Sequence, residues 1–249
     1  MTKAAGSASR GQEERNMKIC LFSDIHGNGP AFEAAYPKLL GENADLNIFL
    51  GDLCGYYFDE IEIFDVLSRM PNLVALRGNH DNMFITANDG DNGERSEYLK
   101  RYGSALEHCL RRDHLAMVAW LKERPEAYEL KEFDLACFHG SPADRSNGYI
   151  YPDTDLSGFC VEGKRNFFLG HTHYPMHRRD GDKMVVNPGS LGQPRQKGWP
   201  TYAVVTFPQR AVEFKEVPYD VDTLIEQIES RKEKNPYLKE VLLRCYARR

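Results

Sequence analysis

Short apolar runs and helical periodicities alternate along the first third of the chain. Lys18-Ile19-Cys20-Leu21-Phe22 predicts a strand that stops at Ser23-Asp24. A helical stretch follows from about Pro30 to Leu40, its proline suited to a first turn. A second strand, Leu46 to Leu50, stops at Gly51-Asp52. A second helix runs from about Asp59 to Arg69, with Ile61, Phe64, Val66 and Leu67 as its apolar side. A third strand, Leu73 to Arg77, stops at Gly78-Asn79-His80-Asp81. This βαβαβ order implies parallel strands joined by right-handed crossovers. In such sheets ligands bind just past the carboxyl ends of the strands.

From Met83 to about Arg124 the pattern turns helical and polar, with Tyr98, Leu106, Leu110, Leu115, Val118 and Leu121 as inward positions. The segment is expected to form a helical cap insertion beside the strand ends. The second half predicts strands at Phe133 to Phe138, Asn166 to Leu169, Met184 to Val186, Tyr202 to Phe207 and Val212 to Val217. Val221, Leu224, Ile225 and Ile228 fall at helical spacing, and Pro236 interrupts before a last helix through Leu242. Residues 1–16 are small, polar and charged and are expected to be a disordered leader, so that residues 17–249 form one domain.

With 249 residues and 41% hydrophobic content, the chain can bury a core. A formal charge of −5 gives no basic footprint for coating nucleic acid. No apolar run reaches membrane-span length, and the first residues lack the apolar stretch of a signal peptide. The six cysteines form no CxxC pair and are expected as buried free thiols, which points to a reducing cytoplasm.

Candidate chemistry gathers at the strand ends. Asp24-Ile25-His26, Gly51-Asp52, Gly78-Asn79-His80-Asp81, His139-Gly140-Ser141 and Gly170-His171-Thr172-His173 follow in order, and Asn187-Pro188-Gly189-Ser190 adds a turn-like sixth. Each is weak alone: Gly-Asp is ordinarily a turn, and Asn-His-Asp ordinarily a helix cap. Five of the eight histidines nevertheless fall in these clusters, whereas His108, His114 and His177 do not. In extended backbone, residues i and i+2 point the same way, so Asp24 with His26, and His171 with His173, can each present two ligands. Oxygen and imidazole donors without thiolate suit Mn²⁺ first, with Fe, Zn, Co or Ni as alternatives.

These ordered motifs resemble the calcineurin-like metallophosphoesterases, from Lys18 to about Phe207. The resemblance implies an α/β fold, a four-layer αββα sandwich of two mixed sheets. It also implies that Asp24, His26 and His173 hold one divalent metal and Asn79, His139 and His171 another, with Asp52 bridging the two. His80 would face the leaving group and Asp81 would orient it. The implied activity is hydrolysis of a phosphate ester, as a phosphodiesterase or phosphatase, by direct attack of a metal-bridging hydroxide. Two divalent cations outweigh two carboxylates and a hydroxide, leaving positive charge for a phosphate.

The protein serine/threonine phosphatases of this superfamily carry Gly-Asp-x-x-Asp-Arg-Gly, and this chain has Gly51-Asp52-Leu53-Cys54-Gly55-Tyr56 instead. The missing arginine disfavours a protein phosphatase or a diadenosine tetraphosphatase. Asn187 to Arg195 resembles the smaller bacterial and archaeal phosphodiesterase branch. Arg145 and Arg195 are the substrate-contact candidates, and Tyr56 and Tyr57 could stack on a base or aryl group. Arg95, Lys100, Arg101, Arg111 and Arg112 read as a solvated helix face. The expected partner is a small phosphate ester, with a nucleotide-like one among the candidates. The alternative is a non-catalytic scaffold, as in the retromer subunit of similar fold, which lacks the histidine of the Asn-His motif; Asn79-His80 is intact here.

Overall fold

A computed structural model describes residues 16–246. The leader expected over 1–16 lies, apart from Asn16, outside the described residues. The first half contains β1 (Met17–Phe22), α1 (Gly29–Gly41), β2 (Leu46–Phe49), α2 (Glu60–Leu67), β3 (Leu73–Ala75), α3 (Asn79–Asn88), α4 (Asn92–Tyr102), α5 (Ala105–Leu110) and α6 (Leu115–Lys122). The second contains β4 (Ala127–Leu130), β5 (Leu135–Phe138), β6 (Asn166–Leu169), β7 (Pro175–Asp180), β8 (Lys183–Pro188), β9 (Thr201–Phe207), β10 (Ala211–Glu216), α7 (Val221–Ser230) and α8 (Tyr237–Cys245).

The strands form two mixed five-stranded sheets, ordered β10-β9-β1-β2-β3 and β4-β5-β6-β8-β7. In the first, β1, β2 and β3 are parallel; in the second, β5, β6 and β8 are parallel. Alternation along β1 shows how the layers are made. Ile19 and Leu21 join Ile48, Leu135, Phe168 and Val186 between the sheets, whereas Cys20 and Phe22 face Phe32, Leu39 and Ile63 under the helices. Helices α1, α7 and α8 pack together around Tyr57, Leu224 and Leu242. On the outer face of the second sheet, Leu156 and Phe159 cover Phe138, Phe167 and Leu169. This is the expected sandwich of two mixed sheets flanked by helices.

The differences from the sequence reading have local causes. β4 and β7 are edge strands, and the β7 sequence Pro-Met-His-Arg-Arg-Asp is too polar to signal one. The helical run begins at Asn79 rather than Met83, because Asp81 accepts the Gly78 N–H at 3.0 Å and caps a helix there. Leu115, expected inward, is exposed; α6 starts at that residue and turns Met117, Val118 and Leu121 inward. All six cysteines are free, but Cys160 is exposed. Among the described residues no helix is long and apolar enough to cross a membrane.

Candidate metal centre

The carboxyl ends of the two parallel triplets converge. Asp24 follows β1, Asp52 follows β2, and Asn79 and His80 follow β3. His139 follows β5, and His171 and His173 follow β6. The segment from Asn187 at the end of β8 braces the others: Asn187 Nδ2 donates to Gly170 O at 2.6 Å and Ser190 Oγ to Asp24 O at 2.7 Å.

The extended geometry expected of Asp24/His26 and His171/His173 is not what brings them together. Five ligand candidates have left-handed backbone: Asp24 (φ 55°), His26 (50°), Asp52 (61°), His171 (66°) and His173 (62°). Such conformations cost about 1–3 kcal/mol each in a non-glycine residue and persist only where the surroundings enforce them. Here Ile25 and His26 N–H groups both donate to Asp52 O, at 2.9 and 3.0 Å, and Asp24 N–H donates to Gly51 O at 3.0 Å. Gly78 is required on steric grounds, since a Cβ there would lie 2.1 Å from Asp52 Oδ1.

Each carboxylate uses one oxygen and leaves one bare. Asp24 Oδ2 accepts the His171 N–H at 3.1 Å, and Asp52 Oδ1 accepts the His80 N–H at 2.9 Å. Asp24 Oδ1 and Asp52 Oδ2 are buried without a hydrogen-bond partner, as is His171 Nε2. The histidines are prepared in the same way. His26 Nδ1 lies 2.9 Å from Cys54 O, His139 Nδ1 3.0 Å from Leu50 O, and His173 Nδ1 2.6 Å from Gln193 O. A carbonyl only accepts, so each Nδ1 is protonated, and in the neutral ring each Nε2 is a bare lone pair.

Those lone pairs confront other acceptors. His26 Nε2 and His173 Nε2 are 3.0 Å apart, and His173 Nε2 is 3.3 Å from Asp24 Oδ1. His139 Nε2 is 3.2 Å from Asp52 Oδ2 and 3.0 Å from Asn79 Oδ1. Acceptor against acceptor is repulsive unless a cation lies between, so the donor set fits divalent metals. Two groups of converging atoms, Asp24/His26/His173 and Asp52/His139/His171, could each hold an ion, and a third places His80 with His26 and Asp52. Burial pushes His80 and His171 down to about 4, favouring the neutral ring. Burial acts the same way on His139, but the neighbouring Asp52 carboxylate outweighs it and lifts this ring to about 9, so that a proton on its Nε2 stands in the place of a cation there.

Asp81 does not orient the His80 ring. Its carboxylate instead accepts N–H groups from Asp52 (2.9 Å), Cys54 (3.0 Å) and Gly78 (3.0 Å), clamping the loop after β2 to the start of α3. Burial and the nearby Asp52 charge nevertheless push Asp81 up to about 7. The partner of His80 Nδ1 is the buried Tyr98 hydroxyl, at 3.3 Å.

Above these residues opens a cleft of about 330 Å³, lined by Tyr56, Tyr102, Tyr149, Tyr151, Tyr174, Arg101 and Arg195 with the ligand candidates. Of the residues expected to contact substrate, Tyr56 and Arg195 line this cleft, 3.3 Å apart from Tyr56 Oη to an Arg195 guanidinium nitrogen. Arg145 is not in the lining. The Gly140 N–H donates to Arg145 O at 2.7 Å, folding the loop back and leaving the side chain exposed. Tyr57 is buried against α8. Arg101 takes a place at the cleft from what read as a solvated helix face. Tyr98, expected as an inward cap position, is buried beside His80; Tyr102, Tyr149, Tyr151 and Tyr174 are not candidates from the sequence, where the alternating Tyr149-Ile150-Tyr151 beside the His139 loop is the available signal. A larger hollow of about 830 Å³ lies between α4–α5 and the turn after α7, but among the described residues no metal-ligand set converges there.

The calcineurin-like phosphoesterase superfamily domain model matches residues 17–210. The chain is 25% identical over 237 residues to the uncharacterized protein MJ0912 of Methanocaldococcus jannaschii, a match covering 84% of this chain and 91% of that one. Among solved structures, a metallophosphoesterase from Sphaerobacter thermophilus superposes with a TM-score of 0.75 at 23% identity, covering 94% and 99% of the two chains. The hypothetical protein PH1004 of Pyrococcus horikoshii gives 0.77 at 22% identity, covering 90% and 97%.

Proposed function

Because the chain belongs to the calcineurin-like phosphoesterase superfamily, we propose that it hydrolyses a small phosphate ester, as a phosphodiesterase or phosphatase, at a dinuclear metal site. The observation that carries this reading is the pair of bare carboxylate oxygens, Asp24 Oδ1 and Asp52 Oδ2, set among opposed imidazole lone pairs. Asp24, His26 and His173 would hold one ion and Asn79, His139 and His171 the other, with Asp52 between them. Mn²⁺ is the first choice, with Fe, Zn, Co and Ni as alternatives. When bound, two divalent ions supply a nucleophile at neutral pH and offset phosphoryl charge.

The protein's own groups would do the rest. Arg195 approaches the phosphate from the rim, its guanidinium steadied by Tyr56. His80 faces the leaving oxygen, and its depressed pKa of about 4 makes it a neutral hydrogen-bond donor rather than an imidazolium acid. A Tyr98 O–H donated to His80 Nδ1 would leave the Nε2–H for that purpose. Asp81 serves as the clamp that keeps Asp52 and α3 in register.

The test is hydrolysis of p-nitrophenyl phosphate and bis-p-nitrophenyl phosphate by stripped protein resupplied with Mn²⁺, beside His171→Ala. Metal-dependent turnover lost in the variant is expected, and the preferred ester separates monoesterase from diesterase. No turnover with Mn²⁺, Zn²⁺, Co²⁺ or Fe²⁺, despite two bound ions, would favour the scaffold.

A further inference from the structure

The cleft carries aromatic surface that the hydrolytic chemistry does not use. Tyr149 and Tyr151 are 56% and 39% exposed, yet their rings lie within 10° of parallel with centroids 5.7 Å apart. Tyr149 also meets the His171 ring at 4.2 Å, and Tyr151 meets Tyr174 at 6.1 Å. A run of rings therefore leads from a ligand candidate to solvent. Single exposed tyrosines are ordinary surface. Two held parallel beside a reaction centre leave apolar faces wet, and a flat ligand would cover them.

The chain holds the pair in place. After His139 the loop is tightly wound, with Gly148 and Asn147 N–H groups donating to Asp144 O and Oδ1 at 3.1 and 2.9 Å. Tyr151 N–H donates to Thr154 Oγ1 at 2.8 Å, and Thr154 N–H returns to Tyr151 O at 3.0 Å. Arg178 of β7 donates to Thr154 O and ties this turn to the sheet.

A separate aromatic group surrounds His80, where Tyr102, Tyr56 and Tyr98 stand at 4.5, 5.1 and 5.8 Å. With the leaving group at His80, the Tyr149–Tyr151 face remains for the other arm of a diester. We propose that the substrate is a phosphodiester carrying a nucleoside on its non-leaving arm, with the base stacked on Tyr149 and Tyr151. The cleft of about 330 Å³ sits at the small end of ligand sites and suits one nucleotide rather than a strand. This specificity rests on the hydrolase reading above. In the reaction water adds its oxygen to phosphorus and the P–O bond to the leaving group breaks with its electron pair; of the water's two protons one ends on the leaving oxygen of an alcohol and the other is released from the phosphate monoester.

Thymidine 5′-p-nitrophenyl phosphate and methyl p-nitrophenyl phosphate share a leaving group and differ only in the other arm. The Mn²⁺-loaded protein is expected to favour the nucleoside ester in kcat/KM by about tenfold or more, within the range for one stacked base. The Tyr149→Ala/Tyr151→Ala double variant should bring that ratio to near one, whereas the corresponding Phe pair should keep it. A ratio that survives the alanines, or is absent in the native protein, overturns the assignment. If neither ester turns over with any metal, the hydrolase reading fails instead. Calorimetric binding of thymidine 5′-monophosphate against methyl phosphate then decides the stacking face: tighter nucleotide binding that the alanines abolish upholds it, and equal binding overturns it.

Discussion

The floor and the rim of the cleft use the same ring chemistry under different restraint. On the floor, the rings of His26, His139 and His173 are each fixed by a backbone carbonyl, and Asp24 and Asp52 are each fixed by a backbone N–H. At the rim, Tyr149 and Tyr151 stand half in solvent and are placed by the turn that carries them and by each other. A floor of this kind can serve many phosphate esters, because nothing in it reads the organic part. Selectivity then falls to the rim, where a side chain can change without disturbing a ligand. Floor substitutions should therefore strike all esters alike, and rim substitutions should separate them.

The largest effect is expected at a ligand. His171→Ala should reduce turnover of every ester by more than about 100-fold, since even groups that merely orient ligands are worth about 10–100-fold; metal content by atomic emission should fall with it. A selective loss would break the contrast. Next come the two supports of Asp52. Gly78→Ala places a Cβ 2.1 Å from Asp52 Oδ1 and should cost about 1–3 kcal/mol in urea unfolding, together with metal affinity. Asp81→Asn puts an amide among three N–H donors and should cost a comparable amount, about 1–3 kcal/mol.

Arg195→Ala at the rim should raise KM about tenfold with little change in unfolding, as expected for one lost charge-assisted contact. The smallest effect tests the His80 arrangement. Tyr98→Phe should lower kcat by only about two- to tenfold, the worth of one hydrogen bond. A ring lowered to about 4 is neutral throughout the working range. The pH profile of kcat should therefore show no loss of rate on passing upward through about 6.5, where an ordinary histidine acid would be spent. An alkaline limb abolished in His80→Gln would show that the ring works as an imidazolium after all.

The sequence made the floor legible and left the rim obscure, for physical reasons. Runs such as Ile19-Cys20-Leu21-Phe22 signal strands buried on both faces, and the topology sends their carboxyl ends to one edge, so position alone implied convergence. The means of convergence was hidden, because aspartate and histidine do not advertise left-handed backbone as glycine does. The rim is assembled from α4, the 149–151 loop and Arg195, segments distant in sequence whose meeting depends on packing. The sequence points to Arg145 as a substrate contact and to Arg101 as part of a solvated helix face; the structure reverses them, because α4 carries Arg101 to the cleft and the loop after His139 keeps Arg145 outside.

The five left-handed candidate ligand positions carry a consequence for any effort to select sturdier forms of this protein. At each of them glycine would relieve backbone strain of about 1–3 kcal/mol. Without metal, the fold and the ligand set therefore pull against each other. A library screened for folding alone in chelating buffer would drift toward glycine at these five sites, its best survivors stable and unable to bind an ion. Screening in the presence of Mn²⁺ would reverse that drift, because bound metal stabilises only chains that keep the ligands.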